Sequence, residues 1–118
     1  MSEDEPLLAL GYLRGDLSGE AQQWDAKRLR ALATRYGYRM DLIVTHTAST
    51  PNRTAELLDL VRRMDVAAVF LPALEHLPVS TVRALLGEVD GVTTLYPQQT
   101  FQRHATAADV ECPPRRPF

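Results

Sequence analysis

The sequence predicts an α/β domain with three layers: a mostly parallel, four-stranded sheet flanked by helices on both faces. Three observations predict it. Short β-rich apolar runs alternate with longer stretches of helical periodicity, in the order β-α-β-α-β-α-β. Each connection between successive strands is long enough for the crossover that parallel strands require. The chain has 118 residues, room for one core and not two.

Residues 7–13, LLALGYL, form a near-continuous apolar run of strand length. Ser18 or Gly19 then opens a helical stretch over residues 20–36, in which Leu29, Leu32, Ala33 and Tyr36 recur at helical spacing. Gly37 is its natural stop, because helices commonly end on a left-handed residue. Residues 40–45, MDLIVT, read as the second strand. Thr50 followed by Pro51 has the form of an N-cap with proline at the first helical position. The helix it opens carries Leu57, Leu58, Val61 and Met64 on one face. Residues 66–73, VAAVFLPA, are apolar enough to be a strand buried on both sheet faces. A third helix over residues 78–89 places Val82, Leu85, Leu86 and Val89 at helical spacing, and residues 92–96, VTTLY, make the fourth strand.

The organisation that follows is an acidic extension over residues 1–6, one α/β domain over residues 7–97 and a flexible tail over residues 98–118. The tail ends in CPPRRPF, which neither a helix nor a central strand accommodates. Between residues 98 and 111 it holds Phe101, Val110 and several alanines, enough for a short helix.

Hydrophobic residues make up 45% and charged residues 24%, a balance that excludes a disordered chain. The net charge is −2, and within residues 6–97 ten basic residues meet ten acidic ones. A nucleic-acid-binding domain normally carries a basic surplus to neutralise phosphates, and none is present overall. Cys112 is the only cysteine, so no internal disulfide forms, and no cysteine–histidine spacing suggests zinc. It reads as a free thiol. Residues 1–6 lack the basic and apolar regions of a secretory signal, and no run approaches the roughly 20 apolar residues of a membrane span. The expectation is a cytoplasmic protein with no membrane partner.

In open parallel sheets, ligands and catalytic groups gather beyond the carboxyl ends of the strands. Those ends bring Arg14 and Asp16, His46 and Ser49, and Glu75 and His76 to one edge. Two acids and two histidines there suit a divalent cation or an acid–base pair. Against this, loops after strands are polar because they are solvated, and Asp16 and Ser18 suit a helix entry. No metal-ligand spacing is present, so neither a metal nor a cofactor is expected. The cluster Lys27, Arg28, Arg30, Arg35 and Arg39 reads as a solvated helix face rather than a nucleic-acid surface. Trp24 reads as a packing residue.

The same residues carry a resemblance. Gly11-Tyr12-Leu13-Arg14 at the end of an apolar strand is similar to a Tyr-x-Arg-x-Ser opening, and spacing matches onward through Leu29 and Ala33 to Gly37-Tyr38. His46-Thr47-Ala48-Ser49-Thr50 stands where Asp-x-Ala-Ser-Gly is common, and Pro51-Asn52-Arg53 blurs an Arg-Pro-Gly helix start. Leu74-Glu75-His76-Leu77-Pro78-Val79 stands where Leu-Asp-Arg-Leu-x-Arg is found. Over residues 7–97 the chain resembles the catalytic domain of serine recombinases, the resolvase/invertase family. The resemblance implies a sheet of order 2-1-3-4.

It also implies which chemistry is missing. The family's nucleophilic serine falls on Asp16, whose carboxylate repels a phosphodiester rather than attacking it. The two arginines that would stabilise the phosphoryl transition state fall on His76 and Val79. The family aspartate becomes Glu75, and only Arg14 survives, so no catalytic residue is expected at Arg14, Asp16, Glu75, His76 or Val79. The leading expectation is a catalytically inactive resolvase-like domain acting as a protein-interaction or regulatory module. Two alternatives stand beside it: an accessory DNA-binding protein in recombination, and a small-molecule or metal-dependent enzyme using the strand-end edge. A homodimer is expected through strand 4 as an uncovered sheet edge, unless the tail covers it.

Overall fold

A computed structural model of the chain describes residues 7–102. Its elements are β1 (Leu7–Arg14), α1 (Gly15–Ser18), a 3-10 turn (Gly19–Ala21), α2 (Gln22–Arg35), β2 (Tyr38–His46) and α3 (Arg53–Met64). There follow β3 (Ala68–Leu71), a 3-10 turn (Leu74–His76), α4 (Val79–Leu86), β4 (Gly91–Leu95) and β5 (Gln98–Gln102). The sheet order is β2-β1-β3-β4-β5; the first four strands run parallel and β5 pairs with β4 antiparallel.

The strands form where the apolar runs demand burial. Every residue of β3 is buried, as are Ala9 to Leu13 of β1, because these central strands are covered on both faces. On one face Leu57 and Val61 of α3 and Val82 and Leu85 of α4 pack on Leu10, Tyr12, Val69, Leu71 and Val92. On the other, Leu29, Leu32 and Ala33 of α2 pack on Ala9, Leu13, Ala68 and Phe70. Each fully buried leucine contributes about 1.5–3 kcal/mol relative to exposure, so these two half-cores dominate the stability. Gly11 is fixed by its surroundings: a Cβ there would lie 2.7 Å from Ile43 Cγ1 and 2.9 Å from Met40 Sδ.

The sheet has five strands where four were expected, and residues 98–102 of the presumed flexible tail are its edge strand. Its sequence, QQTFQ, carries one apolar residue, Phe101, opposite Val92 of β4. Across the pair the hydroxyls of Thr93 and Thr100 lie 3.0 Å apart, and Thr94 Oγ1 donates to the Pro97 carbonyl in the connecting turn. Backbone pairing and hydroxyls thus replace the apolar alternation that marks strands in sequence. β4 is consequently no edge, and the premise for self-association through it falls. The short helix expected between residues 98 and 111 is a strand as far as Gln102. The rest of that stretch, Cys112 and residues 1–6 lie outside the described residues.

Two helix starts also differ from expectation. The helix expected over residues 20–36 is α2 and starts at Gln22; before it lie α1, which ends on a Gly19 cap with φ +57°, and the 3-10 turn. α3 begins at Arg53 rather than Pro51, after Asn52 in the left-handed region at φ +53°. The Thr50 hydroxyl does not cap α3; it accepts the Thr47 N–H at 3.0 Å and closes the loop after β2 on itself. Gly37 ends the α2 region at φ +88°, as expected. Among the described residues no helix is long and apolar enough to cross a membrane.

Candidate functional site

The parallel strands carry Arg14 and His46 to the same edge as register partners on β1 and β2. Arg14 then turns onto its own loop. Its Nε donates to Asp16 Oδ1 at 2.8 Å and its Nη2 to Asp16 Oδ2 at 2.7 Å, a two-bond fork. Hydrogen bonding from that guanidinium, foremost, lowers the Asp16 pKa to about 2, and the same contact raises the pKa of Arg14. Each group's charge is spent on the other.

His76 joins them from beyond β3. It is buried, and its Nδ1 accepts the backbone N–H of Arg14 at 2.9 Å, so the ring proton sits on Nε2. Burial pushes its pKa down, against the pull of the Asp25 and Glu75 carboxylates. Burial therefore favours the neutral form of the ring. Glu75 itself is exposed on the 3-10 turn. Val79 opens α4 with 67% of its surface exposed and brings no polar group.

His46 is buried in a clamp of its own. Its Nε2 lies 2.8 Å from Glu56 Oε1 and its Nδ1 lies 3.3 Å from the Tyr12 hydroxyl, with the Tyr12 ring edge-on at 5.2 Å. The carboxylate can only accept, so Nε2 carries the proton; in a neutral ring Nδ1 then accepts from Tyr12. Burial, above all, raises the Tyr12 pKa, opposed by the nearby charges of Arg53 and Arg14. Ser49 stays on the exposed loop, its hydroxyl 3.1 Å from Thr47 Oγ1. The edge thus brings Arg14, Asp16, His46 and His76 together, whereas Ser49 and Glu75 stand at its rim.

Sequence reasoning missed several partners. Asp25 is buried in α2 and accepts from Ser18 Oγ at 2.8 Å and from the Tyr96 hydroxyl at 3.3 Å. Its signal was present, since residues 25, 29, 32 and 33 share one helical stripe with three apolar members. Arg53 clasps the loop after β2, its Nη1 donating to the carbonyls of Thr47 at 3.1 Å and Ala48 at 2.8 Å. No sequence spacing announced that contact or the Glu56 clamp. Trp24, expected to pack, is 57% exposed, because it lies off the buried stripe; the Arg28 guanidinium sits 5.6 Å from its ring centroid.

A cavity of about 350 Å³ opens beside the clamp, lined by Tyr12, Asn52, Arg53, Thr54, Leu77 and Pro78 among others. None of Asp16, Glu75 or His76 lines it. Among the described residues no three His, Cys, Asp or Glu side chains converge to hold a metal ion. Every buried side-chain nitrogen and oxygen among the described residues has a hydrogen-bond partner. Within the edge Arg14, Asp16, His46 and His76 are each engaged by a neighbour in the same chain, while Glu75 stays exposed at its rim. No protein-family model matches the chain, and neither a curated protein nor a solved structure matches it significantly.

Proposed function

We propose that this chain is a non-catalytic domain of the resolvase-like kind that works as a protein-interaction or regulatory module. The observation that carries the reading is the Arg14–Asp16 fork. The one surviving family cation is neutralised by the residue that stands in the nucleophile's place. The neutralising tendency at His76 and the clamp on His46 support the same reading, since neither ring is poised over an exposed nucleophile. The run β2-β1-β3-β4 within the sheet is compatible with the resemblance, to which β5 is an addition.

The test is to incubate the full chain, and separately its Asp16→Ser variant, with supercoiled DNA and resolve the products under denaturing conditions. Neither protein should form a covalent adduct or nick the DNA, because serine alone restores no transition-state cation. A trapped protein–DNA linkage with the wild-type chain overturns the proposal.

A further inference from the structure

The exposed face of α2 carries a strongly charged surface that lies apart from the strand-end edge. Lys27, Arg28, Arg30 and Arg35 lie on it and form no ion pair with any described residue, whereas Arg14, Arg39, Arg62 and Arg63 each hold a carboxylate. The only carboxylate of α2, Asp25, is buried beneath Ser18 and Tyr96 and is unavailable to them. Beside them Trp24 is 57% exposed, and Arg28 lies 5.6 Å from both its ring and that of Tyr96. An open groove of about 620 Å³ runs along Glu20, Gln23, Trp24, Lys27 and Arg30.

Building on the interaction reading, we propose that this groove docks an acidic polypeptide segment carrying an aromatic or aliphatic anchor. The anchor lies against Trp24, and flanking carboxylates pair with Lys27, Arg28 and Arg30. Charge complementarity selects the sign of the partner, and the exposed ring selects an apolar element within it. A single-stranded nucleic acid fits less well. It needs successive stacking platforms, and among the described residues Trp24 is the only aromatic ring that lines the groove. Its phosphates would also run past Glu20, at the head of the groove, with no freedom to omit a charge there. A polypeptide can place its carboxylates selectively.

Trp24 is the only tryptophan in the chain, so its emission reports the groove directly. The full chain is titrated with a short fluorescent peptide in which aspartates and glutamates surround a phenylalanine and a leucine. Saturable binding, a blue shift of Trp24 emission and weakening with added salt are expected. The double variant Lys27→Glu/Arg30→Glu should bind about tenfold or more weakly with its melting temperature unchanged, since both side chains are exposed. Trp24→Ala, followed by peptide anisotropy, should lose a similar factor. The proposal is overturned by no saturation up to about 1 mM, by binding indifferent to the double variant, or by tighter binding of an oligothymidylate. It is overturned equally if sedimentation shows that a second copy of the chain occupies the groove. Its failure leaves the Arg14–Asp16 edge closed, while a DNA adduct would sink the non-catalytic reading and leave peptide binding intact.

Discussion

The guanidinium of Arg14 is held by the carboxylate of Asp16 through two bonds of 2.8 and 2.7 Å, across only two residues of chain. The backbone N–H of the same Arg14 is taken by His76. The backbone and the side chain of one residue are therefore both tied within the chain at the strand-end edge.

The fork should be visible in the titration of Asp16. Its carboxyl should titrate near 2 in the folded chain and return toward the ordinary 3.8 in Arg14→Met, read by carboxyl-carbon NMR. The sign follows from a depressed folded pKa. The contribution is fully present above the ordinary carboxylate range and is lost as pH falls through about 2. An unmoved titration in Arg14→Met would show that the fork is absent in solution.

His76 should couple stability to pH in the opposite part of the scale. Its folded pKa lies below 6.5, so the unfolded chain binds more protons in the window just below that value. Stability should fall as pH drops from about 6.5 toward the folded pKa, and be unaffected by this group above it. Urea unfolding at a series of pH values should show that slope reduced in His76→Gln. An equal slope in both proteins would assign it to another group.

Tyr12→Phe removes a buried hydroxyl from His46 Nδ1 while keeping the ring that lies edge-on to it. The expected cost is about 1–2 kcal/mol in urea unfolding, from an imidazole nitrogen left without its donor. Neutrality would mean that water replaces the hydroxyl.

Ser18→Ala should cost about 1–3 kcal/mol, because the Asp25 carboxylate it serves is buried and forms no ion pair among the described residues. Tyr96→Phe should cost less, its bond being 3.3 Å against 2.8 Å. Chemical denaturation of both single variants and the double variant measures the coupling between the two donors.

Gly11→Ala should destabilise by about 1–3 kcal/mol, since the new methyl must displace Ile43 and Met40 within a packed layer. A stabilised variant would show that the β1–β2 layer has slack.

What the sequence made legible was whatever rests on burial. The runs LLALGYL and VAAVFLPA marked β1 and β3 because strands covered on both faces cannot hide their apolar content. β5 was illegible because an edge strand held by backbone pairing and Thr93–Thr100 needs no such pattern. At the site, topology was enough to gather Arg14, Asp16, His46 and His76. It could not say that Arg14 would close on Asp16, nor that Glu56 would reach His46 and Arg53 the loop after β2, since α3 starts at Arg53 after a left-handed Asn52 that no spacing announced. Asp25 could have been read from its place on the apolar stripe, and Trp24 from its place off it.

The antiparallel return of β5 fixes where the described chain enters and leaves. Ala9 pairs with Ala68, Ala68 with Gly91, and Gly91 with Gln102, so the first and last strands start and finish along one row. That row lies at the pole opposite Arg14 and Trp24. Chain leading into Leu7 and chain leading out of Gln102 therefore join the sheet on the same side, a full strand length from the fork of Arg14 and Asp16.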